Sequence, residues 1–267
     1  MLLDNGWRLI KHSVENPANP TTVSVNPLPL PTLTLSADEV HVWHAKLDDH
    51  VADHFRPLLT ADEIARADRF HFAKDRNNYV VARGLLRKLL ASYIGIGAAR
   101  LLFSYGEKGK PSLDASHGSA INFNVAHSQA RAIYAFSRGR ELGVDMEFVR
   151  EDVEGGQIAE RFFSRREIQE LGTVPAELKR EAFFNCWTRK EAYIKARGEG
   201  LSMPLDEFDV SLVPGAAAAL IRNHKDQDEI DRWTMQSVPV PDGYVAALVV
   251  EGRDWRLKSF EVEQLPE

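Results

Sequence analysis

The stretch Leu142-Gly143-Val144-Asp145-Met146-Glu147-Phe148 alternates apolar and polar side chains in the manner of a β-strand. The alternation places Asp145 and Glu147 on one strand face, with their Cα atoms about 7 Å apart. Two such carboxylates can converge on one hard cation, and Mg²⁺ prefers a few carboxylates together with water or phosphate oxygens. An edge strand with an acidic solvent face would show the same pattern. The stretch therefore predicts a strand and leaves open whether it binds a metal.

A second segment, Trp187–Leu201, has the pattern of a helix that ends in a glycine-rich turn. Trp187, Glu191 and Lys195 recur every four residues, so they share one helix face. A surface Glu–Lys pair is the ordinary interpretation of this spacing. The alternative is a third carboxylate, flanked by lysines suited to phosphate oxygens and followed by a turn that can approach a ligand closely.

Composition describes an ordinary globular chain. Its 267 residues suffice for one large domain or two small ones, and 44% hydrophobic with 27% charged residues is typical of soluble proteins. No apolar run reaches the roughly 18 residues of a membrane span, and the N-terminus lacks signal-peptide features. The single cysteine, Cys186, excludes an internal disulfide and a cysteine-rich zinc site. We expect a cytoplasmic protein, and the net charge of −6 argues against nucleic-acid binding.

The N-terminal segment differs from the rest in composition. Five of the 13 prolines fall between Pro17 and Pro31. We therefore expect residues 1–36 to form an extension with little regular structure. The compact part should begin near the alternating stretch Val40–Ala45.

A faint internal repeat indicates two similar halves. Thr60–Ile64 and Ser164–Ile168 both carry the hydroxyl-x-x-Glu pattern of a helix capping box, 104 residues apart (168 − 64). Each follows an alternating strand and precedes a long predicted helix, Tyr79–Ile94 or Ala182–Ala196. Chance could also produce this repeat, since capping boxes are common. A duplication implies an N-terminal half over 37–140 and a C-terminal half over 141–267.

Further strands are predicted from short alternating or apolar runs. They lie at Ala120–Val125 and Arg131–Ser137 in the first half and at Phe208–Leu212, Trp233–Val238 and Tyr244–Val250 in the second, with a final edge strand at Phe260–Val262.

Basic residues of the first half are candidates for binding an anion. His127 ends a predicted strand, where it could donate to a phosphate, although a solitary loop histidine is usually structural. Lys108 and Lys110 lie on a glycine turn. Taken alone, this turn has the pattern of an ordinary solvated hairpin tip. Lys74 precedes the first long helix, whose basic residues fit an anion pocket or a solvated face equally well.

The order of these segments resembles the signature of the 4′-phosphopantetheinyl transferases. Gly143–Glu147 and Trp187–Leu201 match the two main motifs, and Phe123–Ser128 and Gly109–Pro111 match upstream motifs in the right order. Arg161–Ser164 is similar to the segment between the main motifs. The resemblance covers roughly residues 40–250 and is closest to the large surfactin-type subfamily, in which two halves form one monomeric active site.

The resemblance implies an α+β fold of two pseudo-duplicated α/β halves with the active site at their interface. It implies Mg²⁺-dependent transfer of the phosphopantetheine arm of coenzyme A to a serine of an acyl or peptidyl carrier protein, with release of adenosine 3′,5′-bisphosphate. Mn²⁺ would be a possible substitute for the metal. Carried over residue by residue, the implied metal ligands are Asp145, Glu147 and Glu191, and the catalytic residues are Glu191 and Lys195. The implied coenzyme A contacts are Lys74, Lys108, Lys110, Asn124, His127 and Lys195.

Two positions depart from the family pattern. Ala126 stands where the family usually has serine, so a hydroxyl contact is lost or replaced. Glu63 stands where some relatives have a basic residue. A non-catalytic coenzyme- or carrier-binding protein and an unrelated Mg²⁺-dependent phosphohydrolase are the competing interpretations. The partners expected are an acidic carrier protein and coenzyme A, with neither nucleic acid nor membrane, and Arg161, Arg165 and Arg166 are a candidate docking patch for the carrier.

Overall fold

The computed structural model describes residues 7–12, 32–153 and 155–264. The strands are β1 (Trp7–His12), β2 (Glu39–Lys46), β3 (Phe103–Tyr105), β4 (Pro111–Leu113), β5 (Ile121–Ser128), β6 (Arg131–Arg138), β7 (Leu142–Phe148), β8 (Phe208–Val210), β9 (Leu220–Asn223), β10 (Trp233–Ser237), β11 (Tyr244–Glu251) and β12 (Arg256–Gln264). The α-helices are α1 (Ala52–Phe55), α2 (Ala61–Ala67), α3 (Ala73–Ile94), α4 (Gly155–Phe162), α5 (Arg165–Thr173), α6 (Lys179–Arg197) and α7 (Glu229–Arg232). None of the helices within these ranges combines the length and apolarity that crossing a membrane requires.

Two sheets pack face to face, and each carries a long helix on its outer face. The first sheet has the order β1-β12-β2-β6-β5, and the second has the order β10-β11-β7. Alternation along the strands divides the core. On β2, Trp43 packs with α3 in the outer core of the first half, while Val42 packs in the core shared by the two sheets. On β7, Val144 faces that shared core, so Asp145 and Glu147 face α6.

The duplication predicted from the sequence is confirmed by two matching ion pairs. Both capping boxes form, at the N-termini of α2 and α5. Their glutamates then reach a buried cation on the long helix that follows: Glu63 pairs with Arg87 at 2.8 Å, and Glu167 pairs with Lys190 at 2.8 Å. Each cation also donates to two backbone carbonyls of the segment after its helix. The fold is therefore the predicted α+β architecture of two similar halves.

Side chains join the two halves along β5 and β7. These strands run side by side, and three polar residues of β5 bond to the start, middle and end of the β7 segment. Asn122 Nδ2 donates to Arg140 O (2.8 Å), Asn124 Oδ1 accepts from Val144 N (2.9 Å), and Ser128 Oγ accepts from Phe148 N (3.0 Å). This seam fixes β7 against the first half.

The expectation of little regular structure over residues 1–36 is wrong at β1. Residues 7–12 pair antiparallel with β12, because β12 leaves one edge open to a further strand. Leu35 is buried against the first core, so ordered packing also begins slightly before Val40. Residues 1–6 and 13–31 lie outside the described ranges.

The final strand also differs from the expectation. It is longer than Phe260–Val262, and it lies between β1 and β2 in the first sheet, parallel to β2, so the prediction of an edge strand is wrong. The physical reason is Phe260, which stacks on Trp43 with ring centroids 4.3 Å apart. The C-terminus of the chain thus completes the core of the first half, and the proposed boundary near residue 140 stays a prediction.

Candidate active site

A glycine allows the acidic strand to lie directly on the helix. A Cβ atom at Gly143 would come within 2.2 Å of Ala192 O and 2.3 Å of Ala196 N, closer than any real Cβ contact. Because Gly143 has no side chain, β7 approaches the α6 backbone, and Asp145 comes within reach of Lys195. The Lys195 Nζ–Asp145 Oδ1 distance is 2.6 Å.

Asp145 is only 5% exposed and has one unsatisfied oxygen. Its Oδ1 accepts from Lys195, whereas Oδ2 is buried without a hydrogen-bond partner among the described residues. A buried carboxylate oxygen without a partner costs free energy unless another group satisfies it. This oxygen and the all-oxygen donor set of the neighbouring glutamates fit a hard cation such as Mg²⁺.

Glu147 and Glu191 lie in the electrostatic field of Asp145. Burial, first, and the charge of Asp145, second, raise the pKa of both glutamates above its ordinary value. Ser128 opposes this at Glu147 through a hydrogen bond, and Lys195 opposes it at Glu191. Concentrated negative charge of this kind favours a cation, and perturbed carboxyl groups cluster at functional sites.

The carboxylates of Asp145, Glu147 and Glu191 are neighbours, but their oxygens do not all lie within 4.8 Å of one another. Among the described residues, only Asp48, Asp49 and His50 bring three possible ligand atoms within 4.8 Å of one another. Those three lie on a surface turn in which Asp48 caps the backbone of His50. At Asp145, Lys195 already occupies one oxygen, and like charges oppose closer approach of the glutamates.

His127 connects this site to a cavity in the first half. The cavity, about 340 Å³, is lined by His127, Lys74 and Tyr79 among others, so the structure brings together two of the predicted anion contacts. Lost hydration, first, and Lys195, second, lower the pKa of His127 although the residue is exposed. His127 therefore lies between the Asp145–Lys195 pair and the cavity.

Lys110 donates its hydrogen bonds within the protein. Its ammonium donates to Glu141 Oε2 (2.8 Å), Ala196 O (3.1 Å) and Leu142 O (3.3 Å), which uses all three N–H groups. Lys108, on the same turn, is exposed and lies beside Gly200. The turn thus packs on the C-terminal end of α6, next to Lys195.

Asn124 is buried, and its carbonyl oxygen is used by the strand seam. Cys186 is fully buried, and burial raises the pKa of its thiol, as expected of a packed residue rather than a nucleophile. The roles of the predicted site residues stay predictions, but the structure places Asp145, Glu147, Glu191, Lys195 and His127 in one neighbourhood.

The sequence reasoning missed Arg66 and Ser128. Arg66 lies on α2, its charge helps to lower the pKa of His127, and its guanidinium lies 5.7 Å from the Tyr79 ring centroid. Its helical spacing of three residues from Glu63 was visible in the sequence, but nothing there showed which way that helix faces. Ser128 Oγ donates to Glu147 Oε2 at 3.0 Å, a contact between halves that no local pattern encodes.

The fold and site define a two-half α+β protein with three neighbouring carboxylates, one of which is ion-paired to Lys195. Comparison with known proteins makes this specific. Residues 141–249 match the model of the 4′-phosphopantetheinyl transferase superfamily, and residues 43–137 match that of the 4′-phosphopantetheinyl transferase N-terminal region. The 4′-phosphopantetheinyl transferase HetI of Nostoc sp. (strain PCC 7120) is 37% identical over 85% of this chain and 94% of its own length.

Other proteins show lower similarity to this chain. The 4′-phosphopantetheinyl transferase Sfp of Bacillus subtilis (strain 168) is 29% identical over 60% of this chain and 69% of its own. A solved structure of Thermotoga maritima holo-[acyl-carrier-protein] synthase aligns with 42% of this chain and 63% of that one, at 26% identity and a TM-score of 0.35. The chain belongs to the 4′-phosphopantetheinyl transferase family and is an enzyme of that type.

Proposed function

We propose that this protein transfers the 4′-phosphopantetheine arm of coenzyme A to a serine hydroxyl of an acyl or peptidyl carrier protein. The reaction depends on Mg²⁺ and releases adenosine 3′,5′-bisphosphate. The observation that carries the proposal is the meeting of Asp145 with Lys195 at 2.6 Å, beside two glutamates of raised pKa, in a member of this family.

Cations of both halves bind the phosphates of coenzyme A in this proposal. His127 and Lys74 line the same cavity, and Lys108 lies exposed on the turn beside α6. Lys195 faces the acidic strand and holds the pyrophosphate at the reacting end. These positive groups offset an acidic chain, whose overall charge of −6 would otherwise repel a polyanionic substrate.

Asp145, Glu147 and Glu191 are the residues that would hold the divalent cation, and the same oxygen donors would also suit Mn²⁺. The bound cation supplies charge neutralisation at the pyrophosphate. The buried Asp145 Oδ2, which has no hydrogen-bond partner in the part of the chain that the structure describes, is the oxygen best placed to gain from it.

The chemistry is a phosphoryl-type transfer governed by positioning and charge. The carrier serine oxygen attacks the phosphorus next to the pantetheine, and the bond from that phosphorus to the adenosine bisphosphate oxygen breaks. The serine proton passes to Glu191, directly or through water; the raised pKa of this carboxyl suits a proton acceptor. Lys195 stabilises or protonates the departing phosphate.

The site lies within one chain, which supports action as a monomer, and the single buried cysteine suits the cytoplasm. An acidic carrier would need a local basic surface on this acidic enzyme. Arg161, Arg165 and Arg166 are exposed around the junction of α4 and α5 and supply such a surface.

Mass spectrometry of the carrier tests the proposal. Incubation with coenzyme A, Mg²⁺ and an apo carrier should raise the mass of the carrier by one phosphopantetheine group, and omission of Mg²⁺ with a chelator present should prevent this. No mass increase with any of several fatty-acid, polyketide or peptide-synthesis carriers would overturn it. Binding of coenzyme A without transfer would instead identify a non-catalytic binding protein, and phosphate release without an acceptor would identify a phosphohydrolase.

A further inference from the structure

Ser128 connects the two halves at the acidic strand. It is the last residue of β5, in the first half, and its hydroxyl lies between two groups of β7. The oxygen accepts a hydrogen bond from Phe148 N and donates one to Glu147 Oε2, each at 3.0 Å.

The backbone bond gives the hydroxyl a fixed orientation. Because the Phe148 N–H occupies one side of the oxygen, the single hydroxyl hydrogen is left to point at the carboxylate. The other polar residues of the seam, Asn122 and Asn124, bond only to the backbone around β7. Among the seam residues, Ser128 alone reaches an acidic side chain of the site.

Glu147 needs such a restraint. It is half-buried on the same strand face as Asp145, and an unrestrained glutamate would turn away from this second carboxylate. Ligands of metal ions are commonly held by hydrogen bonds from neighbouring groups, and losing such a bond typically weakens metal binding about 10- to 100-fold.

We propose that Ser128 is a positioning residue that holds Glu147 in place to bind the divalent cation, so that the first half of the chain helps to build a metal site otherwise made by the second. The inference rests on the proposed function, since it takes Glu147 as a metal ligand. Within the segment Phe123–Ser128, the hydroxyl of Ser128 would thus have a role in the site, whereas Ala126 carries no hydroxyl.

Titration with Mn²⁺, followed by the electron paramagnetic resonance signal of the free ion, tests this assignment. With coenzyme A present, Ser128→Ala should raise the Kd for Mn²⁺ by about 10- to 100-fold, while Ser128→Thr, which keeps a hydroxyl, should remain close to the natural protein. Ser137→Ala is the matched control, because Ser137, on the neighbouring strand β6, donates its hydroxyl hydrogen bond to a backbone carbonyl, Arg140 O, and to no carboxylate of the site. It should lose a comparable hydrogen bond yet leave the Kd for Mn²⁺ unchanged.

The positioning role of Ser128 and the metal site itself can fail separately. Equal Mn²⁺ affinity in Ser128→Ala and the natural protein would overturn the positioning role and leave the proposed function standing. A natural protein that does not bind Mn²⁺ would overturn the metal site itself, and the positioning role with it. If Ser137→Ala weakened Mn²⁺ binding as much as Ser128→Ala, the Ser128 contact would only stabilise the packing of the two halves. Thermal unfolding would then show a similar fall in Tm for both variants.

Discussion

Glu191 shows, at the scale of one residue, how a site can oppose stability and support function. Its carboxyl is half-buried near Asp145, and both effects raise its pKa. Folding therefore disfavours its ionised form, which is the form that a metal or a proton-accepting role requires.

We expect Glu191→Gln to lose transfer and gain stability. Removal of a group that handles charge at the reacting centre should lower the transfer rate by about 100-fold or more. Because the pKa of Glu191 is raised by folding, the natural carboxyl favours the folded state below its unfolded value near 4.5, and that contribution is lost as pH rises through the folded pKa. With a chelator present, the Tm of Glu191→Gln should be higher than that of the natural protein at pH 7–8. The two Tm values should converge near pH 4. A Tm difference that does not vary with pH would contradict this.

Lys110 and Lys108 form a matched pair on one turn. Lys110 donates three hydrogen bonds, to the Glu141 side chain and to one backbone carbonyl each of β7 and α6, whereas Lys108 is exposed. We expect Lys110→Met to lower the free energy of unfolding by about 1–3 kcal/mol, the range for lost hydrogen bonds that leave buried acceptors unsatisfied. Lys108→Met should leave stability unchanged and raise the Kd for coenzyme A. Urea unfolding measures stability, and calorimetric titration measures the Kd for coenzyme A. If Lys110→Met weakened coenzyme A binding and Lys108→Met lowered stability, Lys110 would be the phosphate contact.

At the scale of elements, the sequence was most informative where patterns are local. Alternation along Leu142–Phe148 and the two capping boxes depend on neighbouring residues, and the structure confirms all three elements. The long helices begin earlier than predicted, so Lys74 lies on the first turn of α3. The positions of β1 and β12 depend instead on pairing between the two ends of the chain, which no local pattern reports.

The same distinction applies to the site. Carboxylates at strand spacing and a Glu–Lys helix face could be found from spacing and resemblance. The Ser128–Glu147 contact and the engagement of Lys110 depend on how the halves dock, so they could not. The sequence therefore identified candidate reacting groups better than it identified the groups that hold them.

The close contact of β7 with α6 predicts that one added methyl group at Gly143 lowers stability strongly. Gly143→Ala would place a Cβ atom against the α6 backbone, which cannot turn aside as a side chain can. We expect a loss of about 1–3 kcal/mol or more of stability, with transfer reduced further because Asp145 and Lys195 separate. Gly156→Ala, on α4 with nothing within 4 Å of the added Cβ, is the control and should be neutral or slightly stabilising. Denaturant unfolding compares the two variants; equal stability would contradict the close packing.

For the whole molecule, the two similar halves carry different side chains at a corresponding strand position. The capping-box offset of 104 places residue 41 opposite residue 145 (145 − 104), and that residue is His41. Its ring bonds to Tyr93 OH (2.7 Å) and Glu39 Oε2 (3.2 Å) in a buried network. The position that faces the long helix thus serves packing in the first half and carries the acidic site in the second.

Carrier docking is a prediction about the surface of the whole molecule. Arg161 and Arg165 are exposed, whereas Arg166 has an ion-pair partner in Glu170 at 3.4 Å. We expect Arg161→Glu with Arg165→Glu to raise the KM for an acidic carrier several-fold, because charge reversal converts attraction into repulsion. The KM for coenzyme A should not change. Steady-state kinetics with each substrate varied in turn measures this, and equal changes in both values would argue against docking at these residues.

The return of the C-terminus to the first sheet makes the halves interdependent. Phe260 is 4% exposed, stacks on Trp43 and belongs to the core of the first half, although it lies at the far end of the chain. We expect Phe260→Ala to cost about 3–5 kcal/mol of stability, and Phe72→Ala, at a position 65% exposed, to cost little. Hydrogen exchange locates the damage: amides of β2 and β6 should lose protection in Phe260→Ala before those of β7 and β11. If the strands of the second half lost protection first, the C-terminal segment would belong energetically to that half, and a boundary near residue 140 would separate two self-contained units.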